Sequence, residues 1–139
     1  MLRGIFALAA GLFAAMILIT GSGLLSAKWL FPPPPGLDLR DAAQVAAFAA
    51  SLPLAALLWI LAGWLLGALV GGLVSARLVG QYELAPPVLV GLFIAAGTLL
   101  NAQSIPHPSW MVALGVLLPI PAALLGARLV RKASPAPGK

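Results

Sequence analysis

Leu54 to Ala76 reads LAALLWILAGWLLGALVGGLVSA, a run without a single Asp, Glu, Lys, Arg or His. Roughly 20 apolar residues in a helix cross a bilayer core, and only helices or closed barrels satisfy every backbone N–H and C=O away from water. Three further charge-free runs flank it: Ile5 to Ala27, Val88 to Ala102 and Met111 to Ala127. The expected fold is all-α: a polytopic membrane protein with a bundle of four transmembrane helices at about 5–27, 54–76, 88–102 and 111–127.

Composition points the same way. The 139 residues are 62% hydrophobic and 8% charged, with a mean hydropathy of +1.09. A soluble domain carries about 25% charged residues. Four spans and short connections use up the chain, so residues 1–139 read as a single integral membrane domain whose first partner is the lipid bilayer. Cysteine is absent, which excludes disulfides, thiolate metal sites and cysteine nucleophiles. The net charge of +5 sits at span ends and in the tail, as topology signals do, and does not imply nucleic acid.

With a cytoplasmic N-terminus, the inner segments hold Arg3, Arg77, Arg128, Arg131, Lys132 and Lys139, whereas the outer loops hold only Lys28 and Arg40. The positive-inside bias therefore expects both termini in the cytoplasm, with 128–139 a short basic tail, and a bacterial inner membrane is the expected location. The first run is longer than the 7–15 apolar residues typical of a leader, and Leu25 is bulky for the position three before a cleavage site, so the run reads as a retained span.

Trp29 and Phe31 close the first span at interface depth, and Pro32 to Pro35 with Gly36 then forbid helix. Asp41 followed by Gln44 is a capping box, so a short external helix is expected over Ala42 to Leu52, with Pro53 interrupting and Ser51 capping the second span. Val45, Phe48 and Leu52 form its bulky stripe, with Gln44 and Ser51 close by. That makes a poor interfacial anchor and favours packing against the bundle.

Gly63, Gly67, Gly71 and Ser75 recur every fourth residue and line one side of the second span, with Ala68, Gly72 and Ala76 in a row beside them. In lipid, where burial of apolar surface gives no drive, such glycine-zipper faces associate by close backbone packing. Ala7, Gly11 and Ala15 repeat the device more weakly in the first span. The ridge could meet that span in the same subunit, meet a second copy, or serve as a hinge. Pro119 and Pro121 should bend the fourth span within the membrane and free carbonyls near Ala113 to Leu117.

His107, the only histidine, stands between Pro106 and Pro108 in the loop before Trp110. It has too few companions for a metal site and no paired nucleophile, although Ser22 and Ser26 are hydroxyls at a span end; an exposed interfacial side chain is expected. Asp38, Arg40, Asp41, Asn101 and His107 share one predicted compartment and form the candidate outer recognition surface. No catalytic residue, cofactor or metal ligand is assigned.

Pro32-Pro33-Pro34-Pro35-Gly36-Leu37-Asp38, Ser51-Leu52-Pro53, Trp64-Leu65-Leu66-Gly67, Ile105-Pro106-His107-Pro108-Ser109-Trp110-Met111 and Gly126-Ala127-Arg128 together resemble a group of small uncharacterised bacterial four-helix inner-membrane proteins. The resemblance covers nearly the whole chain and implies topology rather than activity. Where some of that group carry an acidic residue near the end of the first span, this chain has Gly21, Ser22 and Gly23. The expectation is a structural or accessory subunit, not an enzyme, in a homo-oligomer or larger membrane complex. The alternative is a small oligomeric transporter or channel for a neutral or weakly polar solute, with Thr98, Asn101 and Gln103 lining its path.

Overall fold

Helix α1 runs from Leu2 to Leu25 and continues as a π-helical turn over Ser26–Leu30. The widening is carried by the Phe31 N–H, which donates to the Ser26 carbonyl at 2.7 Å. The computed structural model describes residues 1–80 and 83–133, with side chains described as far as residue 130. After α1, Pro35 followed by Gly36 at φ +84°, with the Leu37 N–H donating to the Pro34 carbonyl, has the signature of a type II turn.

The later helices are α2 (Ala42–Ala50), α3 (Leu54–Val79), α4 (Ala85–Ser104), α5 (Ser109–Leu117) and α6 (Pro119–Ala133). Every regular element among the described residues is helical. Four stretches are long and apolar enough to cross a membrane: Leu2–Leu30, Leu54–Val79, Ala85–Ser104 and Ser109–Val130. At 1.5 Å per residue the 26 residues of α3 reach about 39 Å and the 20 of α4 about 30 Å. This is a multi-pass helical membrane protein.

Helix ends follow the sequence in some places and depart from it in others. Asp41 caps α2, its Oδ1 accepting from the N–H groups of Ala43 and Gln44. Ser51 does not cap the second span; its hydroxyl donates back to the Phe48 carbonyl at 2.7 Å and closes α2. The residue before a proline is pushed toward extended backbone, so the chain opens at Leu52, and α3 begins on Pro53 without a side-chain cap. No residue of α2 is buried. Its Val45 and Phe48 are only half-covered, and Leu52, beyond its end, makes the bundle contact with Leu57, Leu61 and Met111. The first residues of the expected tail, from Arg128, are helical and continue α6 to Ala133. The rest of the tail, 134–139, lies outside the described residues.

The fourth span breaks at Leu118. Pro119 lacks the N–H that would reach Gly115, and the chain restarts with the Ala122 N–H donating to the Leu118 carbonyl at 3.0 Å. Pro86 and Pro87 fall in the first turn of α4, where their missing N–H groups disrupt nothing.

Packing centres on α3, which is 44% buried over its most apolar window, against 17% for α1. Helix α1 lies against α3 and α4 on one side, and α6 against the same pair on the other. A Cβ on Gly91 would lie 2.6 Å from the Ile120 backbone, so α4 meets α6 at the restart after the break. At the basic end, the Arg3 Nε donates to the Leu78 carbonyl at 2.8 Å, placing a cation on an orphan acceptor at the α3 C-terminus.

Candidate functional site

The α3 ridge is occupied inside the protomer. A Cβ on Gly67 would lie 2.7 Å from Ile19 and 3.1 Å from the Ala15 carbonyl, and one on Gly71 2.7 Å from the Gly11 carbonyl. Gly63 is seated against the Ser22 side chain, and Ser75 is fully buried with its hydroxyl turned to the Gly72 carbonyl. The neighbouring row takes the other partner. Gly72 abuts the Ala123 backbone, Gly126 abuts the Leu69 carbonyl, and Ala76 packs with Ala127 and Val130. Side by side on one helix, the two small-residue faces receive α1 and α6.

A cleft of about 330 Å³ opens between α1 and α4, at the low end of the 300–1,000 Å³ usual for ligand pockets. Met16 and Ile19 of α1 form one wall, Phe93, Ile94 and Gly97 of α4 the other, and Trp64 of α3 the floor. Thr98 and Asn101 supply its polar groups. The Thr98 hydroxyl donates to the Ile94 carbonyl at 3.1 Å and is only 4% exposed, which leaves the half-buried Asn101 carboxamide as the available polar group.

Trp64 couples the cleft to the loop. Its ring meets His107 at a centroid distance of 5.8 Å with the planes inclined by 53°, and its other contacts reach Gly115 of α5. His107 is thus not the exposed interfacial side chain the sequence suggested. It is half-buried, with Nδ1 2.7 Å from the Ile105 carbonyl, because the two flanking prolines turn the loop back over Trp64.

The remaining candidates for that recognition surface are engaged locally. Asp38 Oδ1 accepts from the Arg40 N–H at 2.9 Å, and the Asp38 N–H donates to the Gln44 side chain. Asp41 Oδ2 accepts from the Gln44 carboxamide, and that bond, followed by those from the Gln44 and Ala43 backbone, holds the Asp41 carboxyl below its ordinary range. Asp38, Arg40 and Asp41 make no hydrogen bond to Asn101 or His107 among the described residues. Gln103 is exposed and does not line the cleft. Ser22 donates to the Ile19 carbonyl and accepts, through its own carbonyl, the Trp59 indole N–H at 3.0 Å, so its bonds join α1 and α3. Among the described residues no three metal-ligating side chains come together.

Sequence reasoning missed the cleft because its walls come from three helices whose relative rotation no local spacing encodes. Gly97 was the available signal: outside the four-residue ridge, a Cβ there would meet nothing within 4 Å. Compared with protein-family models, curated proteins and solved structures, the chain matches none.

Proposed function

We propose that the protein is a structural or accessory subunit of the bacterial inner membrane, with both termini cytoplasmic. The observation that carries this reading is the outward face of α1. Phe6, Phe13, Ile17 and Leu24, at the seven-four-seven spacing of one helix face, are 65%, 70%, 56% and 66% exposed. The small-residue rows of α3 already serve the protomer's own helices, and this bulky stripe is a surface open to a neighbouring membrane helix. A grooved, glycine-rich partner face would receive it, with dispersion contact supplying the attraction. The basic residues Arg3, Arg77 and Arg128 support the orientation by the positive-inside bias, and the proline-bounded segments resembling small bacterial four-span proteins support the location.

The test is extraction of the tagged protein in mild detergent, followed by mass measurement of the intact complex and identification of each co-purifying chain. A stoichiometric second chain, foreign or identical, that is lost in Phe13→Ala supports the proposal. A wild-type monomer without a companion overturns it.

The second reading is a path for a weakly polar solute, favoured by Thr98 and Asn101 on the cleft. Reduced liposome flux in Asn101→Ala with unchanged assembly would select that reading.

A further inference from the structure

The cleft has three properties that together define a ligand. It opens sideways, since its rim residues Met16 and Phe93 are 46% and 55% exposed. Its lining is apolar along α4 from Phe93 through Gly97, and the polar group comes at one end, at Asn101. From residue 93 to residue 101 a helix rises about 12 Å, and Asn101 lies one turn before α4 ends at Ser104. Asn101 therefore sits near the level where acyl chains join their headgroups, and the apolar lining descends from it into one leaflet.

We infer that the cleft binds one acyl chain of a lipid from the leaflet on the His107 side, with the lipid's ester region hydrogen-bonded to the Asn101 carboxamide. The size fits a chain and not a helix: a helix with side chains is about 10–12 Å across, too wide for about 330 Å³. The missing side chain at Gly97 supplies the space, because a Cβ there would meet no atom within 4 Å. The Trp64 ring closes the floor and receives the methylenes. The Asn101 carboxamide is half-buried, and among the described residues no side-chain hydrogen bond ties it down and no unpaired side-chain N or O is fully buried, so its polar atoms stay open to a ligand, and facing hydrocarbon without one is costly. An ester carbonyl accepts from its NH₂ group.

The inference is independent of the assembly proposal, since α1 presents Phe6 and Phe13 to a neighbour while Met16 and Ile19 face the cleft.

The experiment reconstitutes the full chain with phosphatidylglycerol and phosphatidylethanolamine, extracts it in mild detergent and counts retained lipid per protomer by native mass spectrometry. Wild type should keep one phospholipid. Gly97→Leu should fill the cleft and lower retention at least tenfold, while Gly21→Leu, whose Cβ also meets open space but outside the cleft, retains it. Circular dichroism verifies that both variants keep their helices; if Gly97→Leu does not fold, Asn101→Leu carries the test with the same expected direction. Equal retention in wild type and the cleft variants overturns the inference, as does absence of lipid from wild type. A wild-type dimer that Gly97→Leu dissociates also overturns it, by making a second copy the occupant.

Discussion

Gly11 and Gly71 are seated reciprocally, backbone against backbone. A Cβ on Gly11 would lie 2.6 Å from the Gly71 carbonyl oxygen, and a Cβ on Gly71 would lie 2.7 Å from that of Gly11. Neither contact can yield by rotating a side chain, because the obstacle is main chain. Gly71→Ala should therefore force α1 from α3 and cost about 1–3 kcal/mol, the usual range for overpacking. Gly21→Ala, with open space at its Cβ, should remain within about 0.5 kcal/mol of wild type. Reversible unfolding in mixed micelles measures both, and equal stabilities would refute the close-packed crossing.

Trp59→Phe removes the indole N–H that reaches the Ser22 carbonyl at 3.0 Å while keeping most of the aromatic surface. Interhelical hydrogen bonds in membranes average about 0.6 kcal/mol, so the expected loss is of that order and well below that of Gly71→Ala. The same unfolding assay ranks the two variants. A Trp59→Phe loss matching Gly71→Ala would show that the Ser22 end, rather than the glycine crossing, dominates the α1–α3 contact.

The Asp41 carboxyl is held below its ordinary range by the Gln44 side chain first and by the Gln44 and Ala43 N–H groups next. A lowered folded-state value means that the ionised form is the one favoured by α2, so the contribution is complete above the unfolded value, about 3.9, and is lost as pH falls through the lowered value. Hydrogen exchange at Ala43 and Gln44 should be steady from neutral pH down to that range and accelerate below it, after correction for intrinsic rates. In Asp41→Ala the protection should be weak at every pH. A wild-type acid response retained in Asp41→Ala would assign the effect elsewhere.

His107→Ala should leave the helix content unchanged but expose the Trp64 ring from the loop side, since the two rings stand 5.8 Å apart. In a chain where Trp29, Trp59 and Trp110 are replaced by Phe, the Trp64 emission maximum should move to longer wavelength. An unshifted spectrum would mean that the loop does not cover the ring.

The spans and the break before Pro119 were legible because they depend on local chemistry: uninterrupted apolar runs and a missing N–H. The Asp41 cap was legible for the same reason, although Gln44 turns its side chain to the Asp41 carboxylate and the Asp38 N–H instead of the Asp41 N–H that a full capping box uses. Ser51 was not, since a serine beside a proline can close the preceding helix or open the following one, and the pre-proline geometry at Leu52 decides between them. The Gly63-to-Ser75 spacing marked a face without naming its partner. Only the three-dimensional arrangement distinguishes Gly71, set against Gly11, from Gly72, set against Ala123, although they adjoin in sequence. Of the candidate recognition residues, Asn101 lines the cleft and His107 packs against Trp64 without lining it, whereas Asp38, Arg40 and Asp41 bond at the start of α2.

The two faces of α3 receive helices from opposite ends of the chain, and this sets an order during biogenesis. As the protein emerges from the ribosome, α1 is already in place when α3 enters the membrane, so the Gly11–Gly71 contact can close early. Gly72 and Ala76 have no companion until α6 has been synthesised. A chain stalled after α4 would hold a bare backbone groove open to lipid, a mark by which membrane quality control could tell the unfinished product from the finished one.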